Sequence, residues 1–147
     1  MSARTQESIR IAAEPGTVCD IVADVESYPE WSADVRSVTV LSEDADSWPQ
    51  EVEFTIDAGP VSDTYVLAYD WQLAEDGVGE VTWHLVRSSK LKALDGRYVI
   101  AREGDGTLVT YDLAVDLAVP LPGMLRRKAE KTIVTTALGG LKARAEG

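Results

Sequence analysis

Polar and apolar residues alternate through most of this chain, and the spacing turns helical only near its two ends. Ser8-Ile9-Arg10-Ile11-Ala12 has the two-residue period of a half-buried strand. Glu14-Pro15-Gly16-Thr17 then leads into Val18, Ile21, Val22 and Val25, the spacing of one helix face with proline near its start. Ser27 is placed to cap a second short helical turn through Tyr28-Pro29-Glu30-Trp31. Strand follows strand after that, over residues 35–42, 51–58, 64–73, 79–88, 91–102 and 106–119. Ala58-Gly59-Pro60, Asp76-Gly77 and Gly104-Asp105-Gly106 supply the turns between them.

Within these strands one phase is apolar and the other polar. Val52, Phe54 and Ile56 oppose Glu51, Glu53, Thr55 and Asp57; Tyr65, Leu67, Tyr69 and Trp71 oppose Asp70 and Gln72. Val81, Trp83 and Leu85 oppose His84, and Val109, Tyr111, Leu113, Val115, Leu117 and Val119 oppose Thr110, Asp112 and Asp116. Such a sheet has one wet face and one covered face. The cover is the terminal segment, because after Pro120-Leu121-Pro122-Gly123 the apolar residues Leu121, Leu125, Ala129, Ile133, Ala137 and Leu141 recur at i+4. Arg126, Arg127, Glu130 and Lys131 fall on the other side of this helix of about six turns. The pattern therefore predicts an α+β fold: a seven-stranded antiparallel sheet, two short helices after strand one, and a long C-terminal helix across one face.

Composition narrows the class. With 147 residues, 45% hydrophobic and 27% charged, residues 1–147 read as one globular domain, of a size that buries roughly 70% of the unfolded chain's surface. No apolar run approaches the ~20 residues of a membrane span, and the first residues lack the apolar core of a secretory signal, so a cytoplasmic protein is expected. A single cysteine, Cys19, and a single histidine, His84, give no internal disulfide and no zinc site of the common kinds. Neither a metal nor a cofactor is expected. The net charge of −11 is uneven: from Pro122 onward six basic residues face only Glu130 and Glu146. An acidic body of this kind argues against nucleic acid as a partner.

Three segments resemble one superfamily. Glu14-Pro15-Gly16-Thr17-Val18-Cys19-Asp20-Ile21-Val22-Ala23-Asp24 is similar to the first helix of START-like (Bet v 1-like, SRPBCC) proteins, and Tyr28-Pro29-Glu30-Trp31 to the step between their short helices. Gly104-Asp105-Gly106-Thr107-Leu108-Val109-Thr110-Tyr111 resembles their turn into the last strand. The superfamily includes polyketide cyclases, lipid-transfer proteins and coenzyme Q-binding proteins. The resemblance implies a helix-grip fold, in which the sheet curls around the last helix and leaves a cavity. Its mouth is expected near residues 58–62, 88–91 and 119–123. Phe54, Tyr65, Tyr69, Trp71, Trp83, Tyr98 and Tyr111 would then point inward from the strands, Trp31 from the second short helix, and Leu125 and Ile133 from the long one.

A pocket walled by aromatic rings suits a small hydrophobic ligand such as a lipid, a quinone or a polyketide-like compound. A fold of this type hosts unrelated functions, so two alternatives stand beside a carrier. A cyclase or dehydratase would use Tyr65, Tyr69, Tyr98 or Tyr111 to donate to an enolate, although an ordinary phenol is a poor base. A toxin or stress protein would bind a partner and use its interior only structurally. A buried His, Arg or Asp in the pocket favours the second reading, and a filled interior the third.

Other candidate chemistry has plainer explanations. No catalytic residue is assigned: His84 falls on the wet phase, and Cys19 reads as a small buried thiol. Asp57, Asp70, Asp112 and Asp116 read as solvated surface. Trp48, in the acidic loop before Pro49, reads as tucked over the sheet edge rather than as a partner contact. Arg126-Arg127-Lys128 beside Leu121, Met124 and Leu125 suggests transient contact with an anionic membrane. One patch supplies only about 1 kcal/mol per basic residue there, against an acidic body.

Overall fold

The computed structural model describes residues 4–58, 61–118 and 122–147. Among these, the strands are β1 (Thr5–Ile11), β2 (Val35–Glu43), β3 (Pro49–Ala58), β4 (Val61–Leu73), β5 (Gly79–Ser88), β6 (Leu91–Glu103) and β7 (Gly106–Leu117). Helix α1 (Pro15–Ala23) and a 3-10 helix (Val25–Glu30) follow β1, and helix α2 (Gly123–Glu146) ends the chain. The sheet runs β1-β7-β6-β5-β4-β3-β2, every neighbour antiparallel. Hairpins make this order from β2 to β7, and the first strand returns beside the last. This is the α+β helix-grip architecture that the alternation and the resemblance anticipate. The expected turn at 58–60 and the residues Val119 and Leu121 lie wholly or partly outside the described residues.

Alternation places the side chains as read. Val52, Phe54, Ile56, Tyr65, Leu67, Val81, Trp83, Val109, Tyr111, Leu113 and Val115 are all buried, while His84, Asp57 and Asp70 are exposed. Trp48 is half-buried and lies against Trp71 at 5.2 Å. No helix among the described residues is long and apolar enough to cross a membrane.

Four expectations need correction. Ser27 does not cap a new helix, because the 3-10 helix runs straight on from the Asp24 junction. Ser27 lies inside it, its hydroxyl donating to Asp24 Oδ2 at 2.7 Å. Leu125 is exposed rather than packed on the sheet. A strict i+4 series advances about 40° around a helix at each step, so Leu125 has rotated away from the face that holds Leu141. The buried stripe is instead Glu130, Val134, Ala137, Leu138 and Leu141 with Ala129.

Glu130 was expected on the polar side and is 1% exposed. It accepts from the Val115 amide at 2.7 Å and the Thr5 hydroxyl at 3.0 Å. Among the described residues, β1 pairs with β7 only as far as Leu113, and the carboxylate takes over as acceptor beyond that point. Asp112 does point out of the sheet, yet it is buried because Arg4, at 2.6 Å, and Arg97, at 3.6 Å, close over it.

Candidate functional site

Strand pairing sets the aromatic residues of the covered face in a row. Phe54 is opposite Tyr65, Tyr69 opposite Trp83, and Tyr98 opposite Tyr111. Their rings meet edge to face or offset: Phe54 and Tyr65 at 5.9 Å, Tyr69 and Trp83 at 5.6 Å, Trp83 and Tyr98 at 5.3 Å, Tyr98 and Tyr111 at 4.6 Å. Gly96 stands opposite Trp83. A Cβ there would lie 2.5 Å from the indole, so the missing side chain is what lets the ring lie on β6.

Between this row, the 3-10 helix and α2 lies a cavity of about 70 Å³. Eight of the ten residues expected to line it do so: Trp31, Phe54, Tyr65, Tyr69, Trp83, Tyr98, Tyr111 and Ile133. Two do not. The Trp71 ring stacks on Tyr69 at 5.3 Å and its Nε1 donates to the Pro49 carbonyl at 2.6 Å, which carries it toward the start of β3. Leu125 is the exposed residue on the wrong side of α2.

Sequence reasoning missed the lining residues Tyr28, Ser32 and Asp34, which come from the 3-10 helix and the loop after it, along with Ala137 from α2. Tyr28 is locked by its hydroxyl, which donates to the Val22 carbonyl, and by Trp31, whose ring meets it edge-on at 4.9 Å. Trp31 also walls a surface cleft with Asp20, Ile21, Asp24, Ser27 and Arg144, so its half-buried indole divides that cleft from the interior. The expected mouth at 58–62 and 119–123 falls partly outside the described residues.

The electrostatics favour proton donors. Burial first, and neighbouring phenols second, push Tyr69 and Tyr98 well above an ordinary phenol; Tyr65 and Tyr111 shift the same way, Tyr111 with help from Asp34. All four therefore stay protonated at neutral pH and serve as hydrogen-bond donors, not bases. Asp34 is also raised, by burial and then by Asp57, against the opposing pull of Arg36 and a hydrogen bond from Thr136. Two cavity-lining residues each carry a buried polar atom with no hydrogen-bond partner among the described residues, Trp31 Nε1 and Asp34 Oδ2. Burial raises the Cys19 thiol, with Asp20 adding to it, so Cys19 is no ready nucleophile. His84 is exposed, away from the cavity lining. Among the described residues no three His, Cys, Asp or Glu side chains gather as a metal site requires.

Comparison with known proteins agrees with this geometry. The family described as polyketide cyclase / dehydrase and lipid transport matches residues 11–142. Among curated proteins no sequence matches the chain. A START superfamily protein from Mycobacterium smegmatis superposes with a TM-score of 0.87 at 24% identity, covering 97% of both chains. The Zhui aromatase/cyclase from Streptomyces sp. R1128 gives 0.81 at 14% identity, over 99% of this chain and 94% of its own. The ginseng major latex-like protein 151 from Panax ginseng gives 0.75 at 11% identity, over 99% of both. At these identities the likeness is one of fold.

Proposed function

Because the chain belongs to the polyketide cyclase / dehydrase and lipid transport family, we propose that it binds a small hydrophobic molecule, a lipid, a quinone or a polyketide-like compound, in the cavity between the sheet and α2. In this reading residues 1–147 act as one cytoplasmic domain, and the residues that meet the ligand are Trp31, Phe54, Tyr65, Tyr69, Trp83, Tyr98, Tyr111 and Ile133. The observation that carries it is a wall of aromatic rings whose phenols stay protonated, an apolar surface with a few directed donors. Drug-sized ligands occupy pockets of roughly 300–1,000 Å³. A ligand of that size needs the walls to move; the lining residues that are only half-buried are Trp31, Asp34, Val35, Tyr69 and Ile133.

One observation favours chemistry as well as carriage. Asp34, a carboxyl raised by burial, sits on the same wall as the tyrosines, the pairing a cyclase or dehydratase needs to move protons along a reactive chain. The small volume of the cavity favours the remaining alternative, partner binding with a structural interior. Native mass spectrometry of the purified protein separates these readings. A carrier gives a species heavier by one small molecule, which denaturation and apolar extraction release. A protein that carries nothing and takes up no apolar compound offered to it contradicts the binding reading.

A further inference from the structure

We propose that the end of the molecule where α2 begins docks on an anionic lipid bilayer. Docking there is independent of any ligand in the interior and follows from where the free positive charge lies. Of the 14 lysines and arginines, Arg4, Arg10, Arg36, Arg97, Lys142 and Arg144 make ion pairs among the described residues. The other eight make none there, and the residues outside that description include no Asp or Glu. Seven of the eight fall in two segments: Arg87, Lys90 and Lys92 around the β5–β6 turn, and Arg126, Arg127, Lys128 and Lys131 in the first turns of α2. Residues 87–92 and 123–131 each carry +3, in a chain whose net charge is −11. Backbone pairing sets both segments at one end of the sheet. Leu91, at the start of β6, lies opposite Leu117, at the end of β7; the Ala118 amide donates to the Lys90 carbonyl at 2.9 Å, and α2 starts five residues later. The eighth, Arg102, is at the other end of β6.

The protein itself offsets little of this charge. Arg87, Lys90, Lys92, Arg127, Lys128 and Lys131 are exposed and Arg126 is half-buried. Of the nearby acids, Glu130 is buried on the Val115 amide and the Thr5 hydroxyl, and half-buried Asp63 accepts from the hydroxyls of Ser88 and Ser89. Half-buried Asp116 leaves one negative charge against the cluster. Helix α2 has no acid in its first turn and no side-chain cap, so Arg126, Arg127 and Lys128 stand near the positive end of its dipole, where cations cost stability. Two large apolar side chains are exposed in the same first turn, Met124 at 75% and Leu125 at 42%. An anionic bilayer takes up both kinds of group, basic ones at the headgroups and apolar ones between the lipids. A nucleic acid offers Met124 and Leu125 no such place. An acidic protein would need a surface shaped to receive them, whereas a bilayer asks for no shape match. The acidic remainder of the chain does not forbid the contact. The 24 residues of α2 span about 36 Å, and exposed charges more than about 8 Å from the lipid are largely screened at physiological salt.

The test is sedimentation of the full chain with vesicles of phosphatidylcholine alone, or of equal parts phosphatidylcholine and phosphatidylserine, at low salt. The natural protein should bind the mixed vesicles at least about tenfold tighter than the neutral ones and lose that binding as salt rises. Lys128→Glu combined with Lys131→Glu should weaken it by about tenfold or more, and Met124→Ser combined with Leu125→Ser should weaken it measurably. Arg102→Glu, which reverses an exposed arginine at the other end of β6, should leave it unchanged. Equal binding to the two kinds of vesicle would overturn the proposal. So would a loss in Arg102→Glu as large as that of the double lysine variant, since net charge and not this surface would then be the cause. Undiminished binding by the double serine variant would remove the apolar contact with the bilayer and overturn the docking with it. Binding to poly-L-glutamate but to neither vesicle would assign the surface to an acidic protein instead. The comparison of vesicles with the natural protein decides the question even where a variant fails to fold.

Discussion

Two halves of one interior are built from different materials. Ile11, Val18, Val22, Ile100, Val109 and Leu141 belong to the half shared by α1, strands β1, β6 and β7, and the end of α2, and each is shut off from water at 0–1% exposure. The other half, beneath the 3-10 helix and the middle of α2, is made of Trp31, Phe54, Tyr65, Tyr69, Trp83, Tyr98 and Tyr111, and there a gap remains, with polar atoms that have no partner among the described residues. Aliphatic side chains carry no polar atoms and interdigitate to the density of a crystal. Rings are rigid plates with hydrogen-bonding tips, so a wall of them closes imperfectly. The contrast separates what holds the fold together from what is left available to a ligand.

The largest effect comes from cutting the two halves alike. Leu141→Ala, in the closed half, should cost about 2–5 kcal/mol, whereas Ile133→Ala should cost only about 1–2 kcal/mol, because Ile133 is half-buried over an existing gap and has fewer packing contacts to lose. Urea denaturation measures both, and a larger loss at Ile133 would reverse the comparison.

A smaller effect lies where α2 crosses the end of the 3-10 helix. A Cβ at Gly140 would fall 1.9 Å from the Trp31 carbonyl oxygen, while at Gly139 nothing lies within 4 Å. Gly140→Ala should therefore destabilise by roughly 1–3 kcal/mol as an overpacked contact. Gly139→Ala should stabilise by up to about 1 kcal/mol through helix propensity. Equal outcomes at the two positions would show that α2 does not depend on that close approach.

The smallest effect concerns charge in the open half. Asp34 titrates above its ordinary value of 3.8 in the folded protein, so the folded state holds the proton more tightly than the unfolded one. Stability then falls as pH rises from about 3.8 through the folded value, and the loss persists at neutral pH. Asp34→Asn removes it. The variant should be more stable than the natural protein at pH 7, by less than about 1 kcal/mol given partial solvent screening, with the difference vanishing in acid. Thermal unfolding across pH checks this, and a variant less stable at pH 7 would contradict it.

Most of the fold was legible because a two-residue period carries its own phase: once Phe54 is inward, Val52 and Ile56 must follow. The same logic puts Phe54, Tyr65, Tyr69, Trp83 and Tyr111 on the covered face, whereas the cavity beneath them and the inward setting of Tyr98 follow only from the resemblance to START-like proteins. It failed where no phase exists, in the 3-10 helix and the loop after it, and there Tyr28, Ser32 and Asp34 escaped notice. It fails again on α2, where a single i+4 row winds around the helix, so that Leu125 lies outside and Glu130 inside. Asp112 shows a third limit, since alternation gives a direction and not the arginines that cover the residue.

Binding within the interior is tested most directly by filling it. Ala137 is 7% exposed and lines the cavity from α2, so Ala137→Leu adds three carbons where a ligand would lie. The natural protein should bind one molecule of the neutral fluorophore N-phenyl-1-naphthylamine per chain, with quenched tryptophan emission and a melting temperature that climbs with fluorophore concentration. Ala137→Leu should still unfold cooperatively and bind at least about tenfold more weakly, a loss of about 1.4 kcal/mol. Undiminished binding by that variant, or none by the natural protein, would contradict an interior site.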